Sequence, residues 1–238
     1  MKILLIPFMM LSIVSSCSKK EQQSYFAPVV ITQPVAIDSI SYLALGDSYT
    51  IGQSVEEIDR YPIQTRAILK GDSTNISFPE IIARTGWTTG DLITRLNTTP
   101  TLKKEYDIVS LLIGVNNQYQ HLSQDQYRNE FALLLNKAIA YAGNKKNRVF
   151  VLSIPDYSVT PFASGSNQQL IAKEIDEFNI INRQITEAAG CVYIDITPSV
   201  REAVNDPSLI CFDGLHPSGK EYYKWAILLS NAIKISLR

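Results

Sequence analysis

Histidine is scarce in this chain: 238 residues include two, His121 and His216. A reaction that needs a base near neutral pH therefore has few side chains to use. Cysteine is scarce as well, at three residues, and no set of cysteines, histidines and carboxylates has the spacing of a zinc site. No Gly-rich loop suits a phosphate or a dinucleotide, so the expected chemistry needs neither metal nor cofactor. An excess of one charge is also missing. The 22 Lys and Arg against 23 Asp and Glu leave a net charge of -1, and no basic stripe with interleaved aromatics appears, which argues against nucleic acid as a partner. There is no internal repeat. The N-terminal apolar stretch, Ile3 to Val14, is too short to span a bilayer as a helix.

What is present begins with that stretch. Lys2 followed by Ile3 to Val14 has the form of a targeting signal rather than part of a fold. It ends in Val14-Ser15-Ser16-Cys17, which resembles the bacterial lipobox, where small residues precede a cysteine that receives lipid and becomes the first residue after cleavage. The competing reading is an ordinary secretory signal with an incidental cysteine. The expected organisation is a lipoprotein signal peptide over residues 1–16, an anchor at Cys17 with a polar, Pro28- and Pro34-containing tether over 17–38, and one folded domain over 39–238. Such a protein would be exported and lipid-anchored to a bacterial membrane, on its periplasmic or cell-surface face. Cys191 and Cys211 would then meet an oxidising compartment, and whether they bond is open at this level.

Within the domain, apolar runs alternate with helical periodicity. Strands are expected at Ile40 to Leu45, Phe78 to Ala83, Asp107 to Ile113, Arg148 to Ile154 and Cys191 to Asp195. Between and after them, helical spacing covers Arg60 to Lys70, a short segment through Leu92, Ile93 and Leu96, then Asp125 to Ala142, Asn167 to Ala189 and Ser218 to Leu237. The alternation implies a parallel sheet covered on both faces, whose ligands bind at the carboxyl ends of its strands. Ser48, Gly86, Asn116, Asp156 and the region after Asp195 all fall on that edge.

Ser48 follows the first strand in Gly46-Asp47-Ser48-Tyr49. It reads either as a nucleophile at the sheet edge or as part of an ordinary helix-capping turn. A nucleophilic serine needs a base, and the base needs an acceptor to orient it. His216, with Asp213 three residues ahead in one turn-rich loop, supplies both; His121 has no carboxylate at useful spacing. Acyl transfer also needs donors for an oxyanion. The backbone N–H of Ser48 and of Gly86 and the side-chain amide of Asn116 qualify by position. Trp87, Asn117, Asp156 and the loop to Phe162 are candidate substrate contacts, with packing the alternative.

Four of these segments, in order, resemble the blocks of the SGNH hydrolases, also called GDSL-type esterases: Gly46-Asp47-Ser48-Tyr49, Gly86, Gly114-Val115-Asn116-Asn117 and Asp213-Gly214-Leu215-His216-Pro217. The resemblance implies an α/β fold of three layers, an α/β/α sandwich around a mostly parallel five-stranded sheet. It also implies that Ser48 is the nucleophile, His216 the base, Asp213 its orienter, and Ser48, Gly86 and Asn116 the oxyanion donors. Two positions depart from the family pattern. Tyr49 stands where the family has leucine, and Asn117 replaces an acid. Thr50 occupies the last glycine position of a Gly-x-Ser-x-Gly elbow, which disfavours a classical α/β-hydrolase. The expected activity is cleavage of a carboxylic ester through an acyl-serine, on a small-molecule or glycan ester. Lysophospholipase, thioesterase, acyltransferase and non-catalytic ligand binding are the alternatives.

Overall fold

The computed structural model describes residues 39–99 and 102–238. The expected signal peptide, anchor at Cys17 and tether fall on residues 1–38, outside the described residues.

Five strands build one sheet: β1 (Tyr42–Gly46), β2 (Glu80–Ala83), β3 (Ile108–Leu112), β4 (Val149–Leu152) and β5 (Val192–Ile194). Their order is β2-β1-β3-β4-β5 and every neighbouring pair is parallel. All residues of β1, β3 and β4 are buried, because helices cover both faces. This is why those strands read as unbroken apolar runs rather than alternating ones. The strands are shorter than the apolar runs that announced them; Phe78, at the start of one such run, is 67% exposed and lies under the Arg66 guanidinium.

The helices are α1 (Ser48–Ile51), α2 (Tyr61–Gly71), α3 (Thr89–Asn97), α4 (Val115–Tyr119), α5 (Gln124–Tyr141), α6 (Gln168–Ala189), α7 (Thr197–Arg201) and α8 (Gly219–Leu237). Strand order dictates their distribution. The chain steps one way from β1 to β2 and then reverses past β1 to β3, so right-handed crossovers put α2 on one face and α3, α5 and α6 on the other. α8 packs against α2 and completes the first layer, and α3 meets α5, which meets α6. Three layers result, as expected. Trp225 and Tyr222 of α8 and Tyr61 of α2 fill the space over the sheet without exposure, and Trp225 donates its indole N–H to Glu221 at 2.7 Å.

The reversal of direction lies between β1 and β3. At that point adjacent strand ends splay apart, and in open parallel sheets this crevice is where ligands sit. Cys191 and Cys211 are both free thiols.

Candidate active site

The site starts from a close approach. A Cβ on Gly46 would lie 2.1 Å from the Thr50 hydroxyl and 2.4 Å from the Leu112 carbonyl oxygen, so the chain turns out of β1 only with glycine there. Asp47 then caps α1, its carboxylate accepting the Tyr49 N–H at 3.0 Å. Capping therefore falls to Asp47, and the Ser48 hydroxyl, at the first helical position, is left to face a cavity. That cavity, of about 200 Å³, is lined by Ser48, Gly86, Asn116 and His216 together with aromatic side chains.

Asp47 has no exposure, and burial pushes its carboxyl from 3.8 to about 7 against the bonds it receives. One of its oxygens has no hydrogen-bond partner.

The connection between α7 and α8 brings the second half of the site. Asp213 receives four bonds. One oxygen accepts the N–H groups of Leu215 and His216 at 2.9 Å each, and the other accepts Ser54 Oγ at 2.6 Å and faces His216 Nδ1 at 2.7 Å. Partial burial would raise the Asp213 carboxyl, but the bond from Ser54, then those from Leu215 and His216, outweigh it and hold it at about 2. The carboxylate is thus ionised and fixes the imidazole with Nδ1 toward it, which leaves Nε2 for other work. His216 is 4% exposed, and its ring stacks at a tilt on Tyr49, with centroids 5.1 Å apart. Tyr49, the departure from the family's leucine, is therefore a wall for the histidine. His121 lies exposed in a separate loop with φ 55°.

Residues after two further strands line the cavity as candidate donors. Gly86, after β2, has φ 81°, a left-handed conformation that costs glycine nothing, and its position is open. Asn116, after β3, donates one amide hydrogen to the Trp87 carbonyl at 3.0 Å. This bond orients the amide and leaves a second N–H unused.

Three candidate contacts do not reach the cavity. Asn117 is fully buried, accepting the Thr89 N–H at 3.0 Å and donating to the Thr89 hydroxyl at 2.6 Å, so it ties α4 to the start of α3. Asp156 is fully buried too, accepting Ser158 N–H at 2.9 Å and Arg201 Nε at 2.8 Å, and Arg201 also holds Asp176. The side chain of Trp87 lines a different cleft, beside Ile81, Arg84 and Arg95. For Asn117 and Asp156 a neighbouring element supplies partners that local sequence does not reveal. The loop after Asp156 does contribute: Tyr157 and Phe162 line the cavity with Tyr119. The mutual contacts of those three rings have centroids 6.1, 6.0 and 6.3 Å apart. Tyr119 and Ser54 carried no signal in the sequence.

Among the described residues, no cluster of three His, Cys, Asp or Glu side chains can hold a metal ion.

The GDSL-like lipase/acylhydrolase family model matches residues 44–223. The chain belongs to this family. The matched span of the GDSL-like family runs from β1 into α8 and includes the whole cavity. Solved structures agree on the fold. The acetylxylan esterase Axe2 from Geobacillus stearothermophilus superposes with TM-score 0.60 at 18% identity, over 83% of this chain and 93% of that one. The psychrotrophic esterase EstA from Pseudoalteromonas sp. gives 0.63 at 16% identity, over 83% and 98%. An α/β hydrolase enzyme from the metagenome of Lake Arreo, Spain, gives 0.58 at 16%, over 84% and 96%. Among curated proteins, none matches the chain.

Proposed function

We propose that this GDSL-family protein is a carboxylic-ester hydrolase that works through an acyl-serine at Ser48. The observation that carries the reading is the pairing of His216 Nδ1 with an ionised Asp213 at 2.7 Å, with His216 and Ser48 on the wall of one cavity. Ser48 Oγ attacks the acyl carbon while His216 Nε2 accepts its proton. Charge builds on the acyl oxygen, where the N–H groups of Ser48 and Gly86 and the free amide hydrogen of Asn116 receive it. The C–O bond to the alcohol then breaks, with His216 returning the proton to the leaving oxygen. Water, deprotonated by the same imidazole, releases the acid and restores Ser48.

The substrate side of the reading is a short acyl group on a sugar alcohol. A cavity of about 200 Å³ is small against ordinary ligand pockets, which favours a short acyl group. At its mouth, Tyr119 and Phe162 are 51% and 47% exposed and present rings to whatever carries the ester. Aromatic faces suit the C–H faces of a sugar, and the likeness to an acetylxylan esterase is compatible with this. The anchor belongs to the same proposal: Cys17 would hold the domain at a membrane, within reach of acylated glycan.

A serine-reactive phosphonate tests the chemistry, since labelling of the parent and none of Ser48→Ala is expected, and an unlabelled parent overturns the hydrolase reading. A panel of p-nitrophenyl esters of rising acyl length beside acetylated xylan and lysophospholipid tests the substrate. Preference for two-carbon acyl groups on sugar is expected, and long-chain preference would overturn it. For the anchor, the parent fractionates with membranes and Cys17→Ala becomes soluble; a soluble parent contradicts it.

A further inference from the structure

We propose that Ser54 is a positioning residue for the base: its hydroxyl holds the Asp213 carboxylate that orients His216. The proposal rests on the reading of His216 as general base. Three of the four bonds to Asp213 come from its own loop, from Leu215 and His216. The fourth comes from 159 residues away along the chain, where Ser54 Oγ donates at 2.6 Å to the same oxygen that faces the imidazole. An ionised carboxylate offers about four acceptor sites, so Ser54 completes the set. It is also the one donor of the four that connects this loop to the segment leaving α1, and hence to Ser48.

The backbone of Ser54 is shaped for this contact. Its φ of 67° lies in the left-handed region, which costs a residue with a side chain on the order of 1 kcal/mol. Its carbonyl oxygen lies 3.3 Å from the Cys211 thiol, which is also 3.2 Å from the Pro217 carbonyl oxygen. Both polar ends of Ser54, hydroxyl and carbonyl, therefore face the base loop. The low-lying Asp213 carboxyl agrees, because the Ser54 bond is the first of those that lower it.

The physical consequence is specific. With the hydroxyl gone, Oδ2 of Asp213 has a single donor left, the imidazole N–H, and becomes a stronger acceptor for it. An imidazolium is then favoured, and the acid limb of log kcat/KM against pH moves upward. The orientation of the carboxylate also loosens, which lowers kcat without touching substrate binding.

The test uses the full chain with Ser54→Ala and Ser54→Gly. Both remove the hydroxyl, but glycine also relieves the left-handed backbone and so separates the bond from local folding. Three measurements are made: kcat and KM for p-nitrophenyl acetate across pH, phosphonate labelling, and the downfield imidazole N–H proton by NMR. In both variants kcat falls about tenfold with KM held within about twofold, as for loss of a bond to a charged group. The acid limb rises by about half a pH unit, and the imidazole proton shifts. A Ser54→Gly enzyme with parental kcat and pH profile overturns the proposal. So does a loss of rate with an unmoved acid limb and an unmoved proton, which marks a structural role only. A parent that neither hydrolyses esters nor is labelled defeats the hydrolase reading instead. In that case the imidazole proton still decides whether Ser54 acts on the Asp213–His216 pair: a shift in both variants upholds it, and no shift overturns it.

Discussion

Two aspartates stand behind residues that line the cavity, Asp47 next to Ser48 and Asp213 bonded to His216, and their carboxyls are pushed in opposite directions. Asp47, beside the proposed nucleophile, is sealed from water with one oxygen unpartnered, and burial lifts its carboxyl to about 7. Asp213, beside the proposed base, keeps 21% of its side-chain exposure, collects four donors and stays near 2. The difference shows burial and donors pulling a carboxylate in opposite directions: burial prevails at Asp47, and four donors prevail at the less buried Asp213. Asp47 serves as a cap that fixes the turn, while Asp213 serves as a charge that fixes a ring.

The comparison is broken most directly by making one substitution at both sites. Asp213→Asn puts an amide N–H where an acceptor is needed and favours the wrong imidazole tautomer, so kcat is expected to fall by roughly 10³–10⁴ in p-nitrophenyl acetate hydrolysis. A fall under tenfold would remove Asp213 from the mechanism. Asn116→Ala leaves both aspartates intact and removes a proposed oxyanion donor, with an expected loss of about 10²–10³ in kcat and little change in the pH profile.

Asp47→Asn keeps an acceptor for the Tyr49 N–H and removes the titration. Folded Asp47 retains its proton to about pH 7 whereas the unfolded carboxyl loses it near 3.8, so the folded state holds more protons between those values. Stability therefore falls as pH rises through that window, by on the order of 2–4 kcal/mol from this group. Asp213 has the opposite sign: its contribution is present above about pH 4 and is lost as pH falls toward 2. Urea midpoints measured from pH 3 to 8 should flatten above pH 4 in Asp47→Asn and leave that variant at least as stable as the parent at pH 8. A variant that tracks the parent's pH dependence would contradict the assignment.

The smallest effect belongs to the cavity mouth, away from both aspartates. Phe162→Ala is expected to raise KM for acetylated xylan about fivefold and leave p-nitrophenyl acetate within about twofold, since one ring contact contributes about 1 kcal/mol. Equal changes for both substrates would remove the ring from alcohol recognition.

Sequence alone determined the frame. Continuous apolar runs separated by helical periodicity allow a parallel sheet and little else, because a strand buried on both faces has no polar side to alternate. Gly46-Asp47-Ser48 and Asp213 to His216 were legible because each is a local device: a turn that needs glycine, and an acid placed within one loop of its histidine. Tertiary structure decided what local spacing cannot carry. Asn117 and Asp156 were read at the correct strand ends but were claimed by Thr89 and Arg201, partners that strand order brings alongside. Ser54 gave no sign of its place, since its partner lies 159 residues away. A buried polar group takes whichever donor the packing sets beside it, and sheet order and right-handed crossovers, not distance along the chain, choose that neighbour.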